Sequence, residues 1–225
     1  MGIIERFQEK CEAVFRPEPR QNKSPALSPQ ANLALAWGMV TLNRIYTKTG
    51  DKGDTALGDG TRRAKHDLRV AAMGDVDEAN SAIGVARLHA SGEADAMLAR
   101  IQNDLFDLGA DLTAPEDGRK AEGRLRISAA QVERLEREID GMNAALSPLT
   151  SFVLPGGTAL AAHLHLARAI TRRAERAIAE LAAKETLNPE VLRYINRLSD
   201  HLFVAARFAN DKGAKDVLWI PGGNR

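Results

Sequence analysis

Residues 158–184, TALAAHLHLARAITRRAERAIAELAAK, decide how the rest of the chain is read. Leu160, Leu164, Ala167, Ile170, Ala174, Ile178 and Leu181 recur at helical intervals, so they line one side of a single long helix and that side must bury. On the opposite side Arg168, Arg172 and Arg176 follow one another at i, i+4, with Glu175 beside them and Arg173 further round. Like charges at that spacing destabilise an isolated helix by roughly 0.2–0.5 kcal/mol per pair. The stripe reads either as a solvated basic face tied down by surface pairs, or as a comb for an anion that the planar fork of arginine fits.

Downstream, Asn188 as cap and Pro189 at the first helical position announce a helix running to about Asn210. It carries Asn196 and Asp200 at i, i+4, with Asn196 at the edge of the Leu192, Ile195, Leu202 stripe. A half-buried asparagine there is either a satisfied inter-helix hydrogen bond or a site residue. Upstream, LPGG at 154–157 breaks the chain, and VERLEREIDGMNAAL is a helix opened by a Ser128/Gln131 capping box. The segment TAPEDGRKAEGR at 113–124 is a loop, preceded by a helix over about 93–112 with Leu98, Ile101, Leu105 and Leu108 at helical spacing. The first helix is expected to open at DVDE, with Asp75 as cap, Glu78 completing a capping box and Asp77 in the first turn, and to stop at Gly92. Five helices joined by polar loops predict an all-α fold, a five-helix bundle.

The 225 residues suit one domain, expected over 41–225, with 1–40 as a disordered extension because 16–30 are rich in proline. A formal net charge of +1 gives no basic field for nucleic acid or an anionic membrane. The single cysteine, Cys11, excludes an internal disulfide and fits a reducing compartment, so a cytoplasmic protein is expected. No apolar run approaches the roughly 20 residues of a membrane span. His163 and His165 point to opposite sides of their helix, while His66, His89 and His201 are isolated, so no metal-ligand set is expected.

Ahead of the helices lies TKTGDKGDTALGDGTRRAK, Thr47 to Lys65. Gly58 is followed by Asp59, which excludes a Walker A loop, and Arg63 stands where a dinucleotide motif needs its third glycine. The stretch reads either as a solvated turn or as a phosphate-cradling nest of backbone N–H groups, threonine hydroxyls and the charges of Lys48, Lys52 and Lys65.

TKTGDKGDT, GDGTRRAK, DVDEANSAIG, FVLPGGT, RAITRRAER and INRLSDHLF, in this order over about Asn43 to Asn210, closely resemble the PduO-type ATP:cob(I)alamin adenosyltransferases. Met73 and Ala79 depart from that pattern, as packing substitutions. The resemblance implies a homotrimer with an ATP site at each subunit interface. Thr47, Lys48, Thr49 and Gly50 with Thr55 would wrap the triphosphate, and Lys65 with the arginines of a neighbouring subunit would complete the pocket. Arg172, Arg173, Glu175, Arg176 and Asn196 carry over as nucleotide contacts. The implied reaction moves the 5′-deoxyadenosyl group of ATP to the cobalt of cob(I)alamin, giving adenosylcobalamin and inorganic triphosphate with Mg²⁺ present. Cobalt is itself the nucleophile, which accords with the lack of any protein base or nucleophile motif. The expected catalytic set is Arg172, Asn196, Phe152, Asp77 and Arg168, with Phe152 displacing the lower ligand of cobalamin and Asp77 and Arg168 forming an intersubunit salt bridge. A cobalamin reductase and an adenosylcobalamin-dependent acceptor enzyme are the partners implied. An ATP-sensing or adenosylcobalamin-delivery trimer is the alternative from another class, and a purely structural bundle would leave the glycine loop unexplained.

Overall fold

Asp67 starts the first helix: its carboxylate accepts the Arg69 backbone N–H at 2.9 Å and caps α1, Leu68–Arg87, in a computed structural model that describes residues 46–116 and 124–225. The expected extension, residues 1–40, and the middle of the 113–124 loop lie outside the described residues. The expected opening of α1 at DVDE is therefore corrected, because these residues lie inside the helix and Asp75 and Glu78 form no cap. Gly74 resembles a break, but one interior glycine costs only about 1 kcal/mol. Burial of Val70, Met73, Val76, Ile83 and Ala86 along one face outweighs it. Asp77 consequently lies outside the first turn, and a helix-end dipole gives no account of its charge.

Gly92, expected as a stop for α1, opens α2, Gly92–Leu112. α3, Ala129–Asn143, starts where the Gln131 side-chain oxygen accepts the Ser128 N–H at 2.9 Å. α4, Ala159–Ala182, is capped by the Thr158 hydroxyl, which accepts the Ala161 N–H at 3.2 Å, and α5, Pro189–Ala209, by Asn188, which accepts from Glu190 N at 3.1 Å. Two of the three caps anticipated from sequence, Ser128 and Asn188, are thus at their expected residues, and the Thr158 cap is an addition from the structure. The third moved from Asp75 to Asp67.

α4 packs between α1 and α5, α2 covers α1, and α3 covers α5. The buried face of α4 contains Leu164, Ala167, Ala174, Ile178 and Leu181, as expected, whereas Leu160 and Ile170 are only partly buried and Ala161, His165 and Thr171 take inward positions. Each fully buried Leu or Ile contributes about 1.5–3 kcal/mol relative to exposure. The fully buried alanines let α1 and α5 approach α4 closely. Arg69, also fully buried, donates to the Leu112 carbonyl at 2.6 Å and to Glu185 at 2.8 Å, so it ties the start of α1 to the end of α2 and to the α4–α5 connection with its charge paired.

Two short antiparallel pairs, unanticipated in the sequence, decorate the bundle. In the glycine-rich stretch β1, Asp54–Ala56, pairs with β2, Arg62–Ala64, in the register Asp54↔Ala64 and Ala56↔Arg62. At the other end β3, Val153–Leu154, pairs with β4, Val217–Leu218. The two PGG tripeptides follow these paired segments, at Pro155 and Pro221.

Candidate active site

The glycine-rich stretch is a hairpin with one pinned end and one open end. At the pinned end Leu57 is fully buried, Asp59 accepts from the Thr61 N–H at 2.9 Å, and the Gly58 N–H donates to the Thr113 carbonyl at 3.0 Å. A side chain at Gly58 would meet the Thr113 hydroxyl at 2.5 Å, so close approach requires glycine there. At the open end Thr47, Lys48 and Thr49 are exposed, the Thr47 and Thr49 hydroxyls lie 2.9 Å apart, and Gly50 is buried beneath them. Lys48 has φ 63°, a left-handed conformation that costs a residue with a side chain about 1–3 kcal/mol. Arg62 stabilises the turn by donating to the Thr49 carbonyl at 2.9 Å. Thr55 is buried within the hairpin and Lys65, whose N–H donates to the Gly53 carbonyl at 2.8 Å, closes it. The result is a polar, donor-rich turn presented to solvent on a fixed base.

On α4, Arg168, Arg172 and Arg176 share a side as expected. Arg172 is exposed, with its guanidinium making no hydrogen bond or ion pair among the described residues; Arg176 donates to the Arg172 carbonyl at 3.1 Å. Arg173, a residue further round, is drawn away from this side: it pairs with Asp75 at 3.2 Å and with Glu78, both on α1, and those partners raise its pKa. Glu175 accepts from the Asn196 amide at 2.7 Å, an inter-helix bond between α4 and α5. Both side chains line an open cleft of about 910 Å³ with Ala179, Leu187 and Leu192 on its walls. An apolar wall with an amide and a carboxylate at its edge suits a flat heterocycle bearing hydroxyls and ring nitrogens.

Asp77 and Arg168 do not pair within the chain. Asp77 is half-buried among Met73, Val76, Leu105 and Phe106, and desolvation pushes its carboxyl above the ordinary value. Arg168 has its Nε buried without a partner, and burial together with the Arg172 charge lowers its pKa. Each charge is held at a cost that an opposite charge would remove.

Phe152 is 76 % exposed at the head of the PGG loop. The aromatic side chain beside it was not singled out from the sequence: Trp219 lies with its ring 5.9 Å from that of Phe152, tilted by 59°, and donates its backbone N–H to the Phe152 carbonyl at 2.8 Å. Leu154, Val217, Leu218 and Ile220 extend the patch, and all are more than a third exposed. The available signal was the second PGG with four apolar residues, Val217 to Ile220, directly before it. An exposed apolar platform of this kind marks a binding surface. Of the histidines, His163 stacks on His89 at 5.0 Å and His165 is buried against Phe203, on different sides of α4. Among the described residues no group of three or more His, Cys, Asp or Glu side chains could hold a metal ion.

Within the chain the glycine turn, the arginine row with its neighbouring cleft, and the apolar platform are separate features, and no hydrogen bond or ion pair among the described residues joins the Thr47–Gly50 turn to the arginine row or to the platform. The corrinoid adenosyltransferase of Mycobacterium tuberculosis is 50 % identical over 190 residues, covering 83 % of this chain and 97 % of that one. The Bacillus subtilis corrinoid adenosyltransferase is 44 % identical over 180 residues, covering 77 % of this chain and 91 % of its own length. A solved structure of a variant PduO-type ATP:corrinoid adenosyltransferase from Lactobacillus reuteri, complexed with cobalamin and ATP, superposes with a TM-score of 0.71 at 42 % identity, covering 78 % of this chain and 99 % of that one. Residues 45–209 match the family profile of the cobalamin adenosyltransferases, and the chain belongs to that family.

Proposed function

We propose that this chain transfers the 5′-deoxyadenosyl group of ATP to the cobalt of cob(I)alamin, releasing adenosylcobalamin and inorganic triphosphate. The observation that carries the reading is the unpaired Arg172 on α4, flanked on the same helix by the Glu175–Asn196 cleft and by the loop that presents Phe152. The cobalt–carbon bond forms as the C5′–oxygen bond breaks, and the electron pair leaves on the triphosphate. The protein's work is positioning and charge stabilisation rather than proton transfer.

Arg172 and Arg176 would stabilise the departing anion through forked donors, and the Thr47–Gly50 turn with Lys65 would wrap it. Glu175 and Asn196 would hold the nucleoside at the cleft edge, and Arg173 would brace α4 against α1 through Asp75 and Glu78. Phe152 with Trp219 would seat the corrin face and exclude water and the lower ligand from cobalt. A Mg²⁺ ion carried on the triphosphate would neutralise charge on the leaving group.

The glycine turn and the arginine row would belong to different subunits of a homotrimer. The unpaired Asp77 and Arg168 favour this arrangement, since joining them across an interface relieves both. A cobalamin reductase and an adenosylcobalamin-dependent acceptor enzyme would flank the reaction in the cytoplasm. No helix among the described residues is long and apolar enough to cross a membrane. Purified protein incubated with ATP, Mg²⁺ and chemically reduced cobalamin should produce the absorbance of the cobalt–carbon product. Absence of that product with saturating substrates would overturn the reading.

A further inference from the structure

Beneath the Phe152–Trp219 platform lies a polar network whose members are almost entirely buried. Asn210, at the C-terminus of α5, is fully buried; its side-chain oxygen accepts the Thr158 N–H at 2.9 Å, and its amide donates to the Gly156 carbonyl and to Asp216, each at 3.2 Å. Asp216 also accepts from Arg207 at 2.8 Å, and those two side chains are 3 % and 7 % exposed. Arg207 in turn donates to the Ser147 carbonyl at 3.0 Å. Gly157, at φ 97°, leaves no room for a side chain beside Asn210.

The chain reaches this network through an unusual turn. Asp211, Lys212 and Gly213 all have positive φ, at 57°, 52° and 87°, a conformation that residues with side chains adopt only when their surroundings impose it. The turn closes as the Gly213 N–H donates to the Arg207 carbonyl and the Lys215 N–H to the Asn210 carbonyl, both at 2.9 Å, and it delivers Asp216 to Arg207 directly before β4. Three bonds from Asn210 therefore fix the PGG loop that follows Phe152, the cap of α4 and the tail that carries Trp219. The Asp216 charge also acts on buried His165, which stands one turn before Arg168.

We infer that Asn210, Asp216 and Arg207 form a latch whose task is to position the Phe152–Trp219 platform against the arginine helix, so that Asn210 and Asp216 are positioning residues for the corrinoid half of the reaction. This rests on the adenosyl-transfer reading above. None of the three was singled out by the sequence motifs. A buried ion pair between a short tail and a helix end adds little net stability, because desolvation offsets its attraction, but it sets geometry.

The test uses the full chain in a Trp37→Phe background, which leaves Trp219 as the lone tryptophan of the two present. Asn210→Ala and Asp216→Asn are each compared with that background by acrylamide quenching of Trp219, by KM and kcat for cobalamin, and by KM for ATP. The expected result is a more quenchable Trp219 and a loss in kcat/KM for cobalamin on the order of 10- to 100-fold, as a misplacement of about 1 Å produces. The ATP KM and the helical circular dichroism should stay unchanged. Unchanged quenching in both variants, a freed Trp219 with unchanged cobalamin constants, or equal losses for cobalamin and ATP would each overturn the latch. Collapse of both variants would assign the network to bundle stability and overturn it too. A background protein with no turnover would instead overturn the adenosyl-transfer reading, while the quenching comparison would still decide whether the network holds the tail.

Discussion

The helix pair α1 and α4 carries two sets of opposite charges with opposite fates. Asp75 and Glu78 on α1 meet Arg173 on α4 within the chain, all at least partly open to water. Asp77, one residue from Glu78, and Arg168, five before Arg173, find no charge partner among the described residues although both are partly buried. Surface pairs such as the first contribute little, typically about 0.2–1 kcal/mol, because water screens them. Unpaired charges at half-buried positions are costly, and a folded chain that keeps two of opposite sign points to a partner that joins them. In the proposed trimer the contrast would separate what α1 and α4 do for the bundle from what they do for assembly.

The sharpest way to break this contrast is to remove one member of the unpaired set. Asp77→Asn or Arg168→Ala should cost roughly 3–5 kcal/mol in assembly and activity if they meet across an interface, and the double-mutant cycle should be strongly non-additive. Mixing the single mutants should restore part of the activity, and sedimentation read beside the assay checks both statements. The sign of the pH effect follows from the raised Asp77 pKa: the separated chain loses stability as pH rises from 3.8 through that raised value. Pairing with arginine pulls the pKa back down, so association should strengthen over the same window, and Asp77→Asn should abolish the dependence.

Arg172, unpaired but exposed, extends the comparison to catalysis. Arg172→Ala should cost about 3–4 kcal/mol of transition-state stabilisation, visible in single-turnover rates, and Arg172→Lys should recover only part because a point charge does not replace the fork. Asp107, which accepts from the Gln131 amide at 3.5 Å and forms no ion pair among the described residues, provides an internal control for acids without a cationic partner. Desolvation and the neighbouring Asp104 charge raise its pKa to about 6, so its contribution to stability is present below 3.8 and is lost as pH rises through about 6. Asp107→Asn should therefore raise the unfolding free energy on the alkaline side of that range by about 1 kcal/mol after allowance for solvent screening, read as a higher melting temperature there and an unchanged one in acid. The smallest effect belongs to the paired set: Glu78→Gln should lower stability by no more than about 1 kcal/mol and leave association intact. An assembly defect in that variant would erase the distinction between the two sets.

The helices were legible because their signals are local. Apolar periodicity and the caps at Ser128 and Asn188 sit within a few residues of the structure they specify. The start of α1 was misread since Asp75 and Glu78 have cap spacing, yet their partner is Arg173, far along the chain. In the candidate site, Arg172, Glu175 and Asn196 were readable from helix geometry and resemblance, and the structure adds the bond that joins the last two. Trp219 and Asn210 were not. Their meaning arises from the pairing of β3 with β4 and from bonds to Gly156 and Thr158, contacts that link the tail to a loop more than fifty residues upstream.

The small side chains behind α4 have a consequence for how finely the arginine row is aimed. Ala161, Ala167 and Ala174 are fully buried against neighbouring helices, so the rotation of α4 about its own axis is set by contacts on the face away from the site. At a side-chain radius of about 6 Å, a rotation of about 10° carries a tip sideways by about 1 Å. Such an error can lower a rate on the order of 100-fold. Enlarging one of these alanines by two methyl groups would thus act as a torsional fault, shifting every guanidinium on the helix together while removing none of them.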